Sequence, residues 1–404
     1  MRSRPRVTQA PVADTRCRTR AAIFASCLAI ACNAASAAIL TVGQSPGIAS
    51  IADAARLARD GDVVEIPAGE YSGDVAVWMQ RRLTIRGIGK TPVLKAAGRI
   101  AEGKAIFVFR DGEFVVENLA FEGARAPDRN GAGIRFEKGR LTVRRCRFED
   151  DENGLLTANS AESELVIEDS QFARAPRDRG SLKHLLYVGR IARLTLTGSR
   201  LHQGFEGHLV KTRARENLIA NNLLYDGQGG RAAYELELPD GGLAYVIGNV
   251  IGQSAETTNP VVISYGTEGP AWDRNALYLV NNTLTSDRTL GAWFLRVSTD
   301  RLPAETEIIA ANNLTVGLGL FALAAPGRFD GNYPAFASVL GDPAILDFRL
   351  GAHSWLRGMG ATPPVLNGRS LAPIAEFRLP IGTTPLPPIT SWTPGAFQNG
   401  DPLR

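Results

Sequence analysis

Three of the four histidines in the 404-residue chain, His184, His202 and His208, fall within residues 184–208. His208 opens the segment Gly207-His208-Leu209-Val210-Lys211-Thr212-Arg213, the densest polar constellation in the sequence. An imidazole, an ammonium and a guanidinium on one short segment supply a proton donor, a proton acceptor and an anion clamp. Along an extended strand, alternate residues share a face. With Val210 and Thr212 inward, Lys211 and Arg213 point out; with Tyr234, Leu236 and Leu238 inward, Glu235 and Glu237 point out. The preceding strand offers Tyr187 outward and His184 near its start, and the following strands offer Ser264 and Arg296. If these strands stack at the usual spacing of about 4.8 Å, Tyr187, Lys211, Arg213, Glu235 and Glu237 share one patch. The competing reading is a solvated strand face with charge pairs.

The stacking is predicted by a repeat. An apolar residue, a small or amide residue three on, and a second apolar residue recur around Ile88, Leu119, Cys146, Ser170, Ser199, Asn222, Asn249, Asn282 and Asn312. The intervals run from 23 residues (199 to 222) to 33 (249 to 282). A period of this size, built from short alternating runs such as Leu194-Thr195-Leu196 and Leu141-Thr142-Val143, predicts stacked coils that bury their apolar faces against one another. The expected fold is all-β, a right-handed parallel β-helix solenoid. The four Asn of the repeat are expected to form an inward ladder of stacked amides with a structural role. Unequal intervals place insertions in the turns, where such folds carry their sites.

Ile48, Ile51, Ala52, Ala55 and Ala58 lie on one face of a helix predicted over 48–59, which would cover the first coil. The expected divisions are 1–37 as a signal peptide, 38–80 as cap and first coil, 81–320 as the solenoid and 321–404 as a tail packed along it. Twelve of the 23 prolines fall in 322–404, which marks that last change in character.

Arg16, Arg18 and Arg20 precede an apolar run over 21–31, and Ala35-Ser36-Ala37 offers a small-residue cleavage site, so export to the periplasm or medium is expected. Cys32 raises lipoprotein attachment as a minor alternative. No segment is long enough for an integral membrane span. Removing six Arg and one Asp with residues 1–37 reduces 45 basic and 41 acidic residues to 39 and 40, a net charge of about −1. This leaves no electrostatic basis for nucleic-acid binding. Cys146 then stands alone, which excludes an intrachain disulfide and reads as a core residue. A monomer is expected.

Val63-Val64-Glu65-Ile66-Pro67-Ala68-Gly69-Glu70-Tyr71 and Leu83-Thr84-Ile85-Arg86-Gly87 resemble the opening coils of pectate-lyase-like β-helix proteins, a likeness extending over about 48–320. That fold hosts lyases, hydrolases, esterases, epimerases and adhesins, so it implies architecture more than activity. Val210-Lys211-Thr212, Asn222, Leu236-Glu237-Leu238-Pro239-Asp240-Gly241 and Gly248-Asn249 resemble the chondroitinase B and alginate lyase group over about 40 residues. The resemblance implies that Lys211 is the base, and it departs where that group's Arg falls on Pro239. It also implies calcium, held by carboxylates just upstream of the Lys, where this chain offers only Glu206, with Glu235 and Glu237 near in space.

A long outward groove suits a polymer, here an acidic polysaccharide. β-Elimination removes the proton next to a uronate carboxylate, which requires cations around that carboxylate, a base on one face and an acid at the leaving oxygen. Lys211 is the candidate base, Arg213 or calcium the neutraliser, and Tyr187 or His208 the acid; His184, Ser264 and Arg296 are candidate substrate contacts. Two other classes stay open. Glu235 and Glu237, with Cβ atoms about 7 Å apart, fit paired-carboxylate glycoside hydrolysis. Tyr187, Tyr225, Tyr234, Tyr265, Trp272 and Trp293 offer stacking faces for a non-catalytic glycan binder.

Overall fold

The structure is a computed structural model and describes residues 37–398 apart from 179, 181, 323, 324 and 367. The expected signal peptide, residues 1–37, and Cys32 lie outside the described residues apart from Ala37. Two ladders of parallel strands carry the chain. One is an 11-stranded sheet running from Glu70–Ser72 to Tyr333–Ala335. The other has 20 strands and takes two from most coils, such as Tyr234–Leu238 and Leu243–Ile247. Successive coils keep register, as in the column Val210, Leu236, Ile263, Leu295. The protein is an all-β parallel solenoid of about ten turns.

The apolar columns form the core. Phe121, Phe148 and Phe172 occupy one position in three successive coils and stack with centroids 5.1 and 4.4 Å apart. Trp78, Phe107 and Phe109 fill the lower coils. Cys146 belongs to the same core, and burial pushes its thiol pKa up to about 12, which makes it a packing residue.

At one turn the columns become polar. Cys146 N donates to Ser170 Oγ, Ser170 N to Ser199 Oγ and Ser199 N to Asn222 Oδ1. From Asn222 upward each amide accepts two hydrogen bonds from the Asn below: Asn249 from Asn222, Asn282 from Asn249, Asn313 from Asn282 and Asn332 from Asn313, at 2.8–3.0 Å. The ladder thus uses Asn313, where the repeat pointed to Asn312. Ala310 is level with Leu279, so the inward phase lies one residue later than Ile309 implied; alanine is a weak mark of an inward position. Asn312 instead takes a left-handed φ of 56° and bonds Asn281 and Ala361. Near the start, the place below Leu119 belongs to Pro92, whose carbonyl receives Ala120 N, because residues 88–92 form an insertion after Ile88.

The helix at the first coil is shorter than predicted, Ile51–Leu57. Ser50 and Asp53 form a capping box at its start, and Asp74 accepts from the amides of Ile51 and Ala52. Its Ile51, Ala54 and Ala55 are buried against the solenoid. At the other end the parallel ladders continue beyond 320 to Tyr333–Ala335. The remaining chain runs along the solenoid as short antiparallel pairs, bonding through Ala361 to Asn312, Thr393 to Asn281 and Gly382 to Gly198. Among the described residues no helix is long and apolar enough to cross a membrane.

Asn249 makes four ladder and carbonyl bonds, all buried. Replacing Asn249 by Ala leaves donors and acceptors unpaired on both neighbouring coils, and the expected loss is about 2–4 kcal/mol. A lowered midpoint in urea unfolding checks it; an unchanged midpoint would show that the ladder is not stabilising.

Candidate functional site

The strand His208–Thr212 lies between His184–Val188 and Tyr234–Leu238. Gly207 starts it at a point of very close approach: a Cβ there would stand 1.9 Å from the carbonyl oxygen of Lys183. Only glycine permits that contact. Register then puts Tyr187, Lys211, Glu237, Ser264 and Arg296 in one row on the outward side of the strands, with Glu237 and Ser264 buried. A second row holds rings in contact: His184 and His208 stack with centroids at 4.6 Å, and Tyr234 meets His208 edge-on at 5.0 Å.

Between the rows, Leu209 and Val210 both enter the core. Two consecutive inward residues break the alternation and bring His208 and Lys211 to one side. His208 Nδ1 is 3.5 Å and Lys211 Nζ 3.2 Å from Glu237 Oε2, while Thr267 Oγ donates to Glu237 Oε1 at 3.1 Å.

The same phase shift corrects the placement of Glu235. It falls level with Leu209, fully buried, with neither carboxylate oxygen hydrogen-bonded. Burial, and secondarily the nearby Asp226, hold its pKa well above the ordinary range. Glu235 and Glu237 therefore do not form an exterior carboxylate pair. They do not fit a shared calcium ion either, and no group of three or more His, Cys, Asp or Glu that could hold a metal occurs among the described residues.

Arg213 closes the site. Its Nε donates to Tyr187 Oη at 3.2 Å, one terminal nitrogen pairs with buried Asp240, and both terminal nitrogens reach Glu268 at 2.8 Å. Burial works to lower its pKa, but Glu268, Tyr187 and Asp240 outweigh burial and leave it above the usual guanidinium value. Lys211 Nζ lies 5.8 Å from the Tyr187 ring centroid and 3.6 Å from Glu268. Burial, then the charges of Lys211 and Arg213, push His184 down to about 3; burial, His184 and the same two cations push His208 well below its ordinary value. Both imidazoles are neutral at working pH, and His184 Nδ1 accepts from the His208 amide at 3.2 Å.

His202 stays apart, on the 11-stranded sheet, with Gln171 at 3.0 Å. Ser264 is buried with its hydroxyl unpartnered, and exposed Arg296 lies over Trp293 at the edge of a cavity of about 180 Å³. Sequence reasoning missed four residues. Arg190 and Asp240 pair at 2.6 Å beneath Arg213, and Glu268 comes from the longest interval of the repeat. Asn153 sits beside His184, fully buried with both amide atoms unpartnered. The long interval was the one available signal, and it pointed to the turn rather than to Glu268.

Among solved structures the chain is similar to pectate lyase Pel9A, with a TM-score of 0.60 and 14% identity over 90% of this chain and 96% of that one. The fold is that of a pectate-lyase-like parallel β-helix. The PL6 family alginate lyase AlyGC aligns with a TM-score of 0.47 and 18% identity, over 74% of this chain and 40% of that one. No family model matches the chain, and no curated protein does.

The pKa shifts set opposite pH trends. The lowered pKa of His184 gives stability that is present above the ordinary His range and lost as pH falls toward about 3. The raised pKa of Glu235 gives stability that is present below the ordinary carboxylate range and lost as pH rises through the raised value. Replacing Glu235 by Gln is therefore expected to stabilise the protein by on the order of 1 kcal/mol or more at about pH 8 and to change little at about pH 4. Thermal melts at the two pH values check it; equal shifts at both would refute the assignment.

Proposed function

We propose that this β-helix is an exported lyase, delivered by residues 1–37, that cleaves a uronic-acid-containing polysaccharide by β-elimination. The observation that carries the reading is the convergence of Tyr187, Lys211, Arg213, His208 and Glu237 on one exterior strip of three successive coils. The pectate lyase Pel9A fold supports it at the level of architecture.

The roles follow from position. Arg213, held from below by Asp240, offers its guanidinium to the substrate carboxylate and draws charge out of the developing enediolate. Lys211 takes the proton next to that carboxylate. Its Nζ lies 3.2 Å from Glu237, whose other carboxylate oxygen accepts from Thr267. Tyr187 Oη, already in contact with Arg213, donates to the leaving oxygen. Glu235 has no part in this scheme, which removes the carboxylate pair that hydrolysis would need.

A screen of uronic-acid polymers should yield unsaturated ends, read by their ultraviolet absorbance. Lys211→Ala should lower that rate by at least about 100-fold, the scale of general-base catalysis, while leaving the fold unchanged by circular dichroism. Reducing ends without new absorbance, or retention of polymer without product, would replace the lyase reading with hydrolysis or simple binding.

A further inference from the structure

Arg213 holds two carboxylates that differ in setting. Asp240 is 1% exposed, is shared with Arg190, and sits in the turn Pro239-Asp240-Gly241-Gly242, whose glycines take φ of 68° and 87°. It is part of the floor. The Glu268 side chain is 48% exposed. Its carboxylate spans both terminal nitrogens of Arg213 at 2.8 Å and lies 3.6 Å from Lys211 Nζ, with Tyr187 Oη on the Arg213 Nε at the next edge. A carboxylate forked onto a guanidinium beside an ammonium is the pose that a free carboxylate arriving from solvent would take.

The backbone under Glu268 is pinned. Glu268 N donates to Pro239 O at 2.9 Å, Ala271 N to Asp240 O at 3.0 Å, and the preceding Thr267 holds Glu237. Vacating the position needs only rotation of one half-exposed side chain, not movement of the loop. A half-exposed ion pair is also far weaker than a buried one, so it is the exchangeable contact of Arg213.

We propose that Glu268 is an internal occupant of a carboxylate subsite formed by Arg213, Lys211 and Tyr187, and that it swings out when the carboxylate of a uronic-acid residue binds. The identity of the sugar rests on the lyase reading; the subsite rests on the contacts just described. The exchange conserves charge, since one carboxylate replaces another while Asp240 keeps its place. Glu268 therefore acts as a filter: a neutral glycan brings no anion to take its position on Arg213 and gains nothing by displacing it.

The test uses the full chain with Glu268→Ala and Glu268→Asp, titrated calorimetrically with trigalacturonate and with neutral galactotriose. An internal competitor that fills the subsite about nine-tenths of the time lowers apparent affinity about tenfold, so Glu268→Ala should bind trigalacturonate about tenfold more tightly, with galactotriose unaffected. Glu268→Asp, one methylene shorter, should gain in the same direction, and it is read by the same criterion if the Ala variant fails to fold. No gain, no binding by any variant, or an equal gain for both sugars overturns the proposal. Release of unsaturated product is followed separately. A gain in affinity without elimination keeps the subsite and removes the lyase reading, while elimination without a gain does the reverse.

Discussion

Parallel pairing between successive coils is the constraint on which everything else in this protein depends. Strands about 4.8 Å apart put equivalent residues of neighbouring coils in contact. Residues far apart in sequence thereby become side-by-side partners, as Tyr187, Lys211, Glu237, Ser264 and Arg296 do. The amide ladder holds that spacing, because each Asn is tied both to the next side chain and to a backbone carbonyl, as Asn249 is to Asn282 and Ile219. Such a column tolerates little displacement, since a shifted coil would leave buried amides unpaired.

Upon this frame the site combines opposite electrostatic requirements. Arg213 and Lys211 are cations in a partly buried position, stabilised by Asp240, Glu237 and Glu268. Next to them His184 and His208 are kept uncharged by burial and by those same cations. Along the strip, the buried side chains of Asn153 and Ser264 have polar atoms without a hydrogen-bond partner.

The interior tells a different story. Glu235 carries its carboxyl into the solenoid, where Asp226, pushed up to about 6 by burial, is its charged neighbour. Groups of this kind cost stability in their ionised form. The two glutamates of one strand thus do opposite things: Glu237 organises the exterior site and Glu235 titrates against the core.

The architecture was legible in the sequence because a repeated coil writes its inward positions into the chain as spaced apolar and amide residues; the Asn222, Asn249 and Asn282 columns follow that spacing directly. The outward row of Tyr187, Lys211, Glu237, Ser264 and Arg296 was legible for the same reason, since register follows from the repeat. The tertiary structure alone decided the rest. Leu209 and Val210 are both apolar and both inward, and nothing in their types reveals that alternation fails between them, which is why Glu235 was placed outside. Glu268 reaches Arg213 across 55 residues of chain, and Asp240 lies beneath it, through a turn whose course no periodicity describes. Repetition encodes what is stacked, whereas contacts made by an insertion depend on where the finished coils leave space.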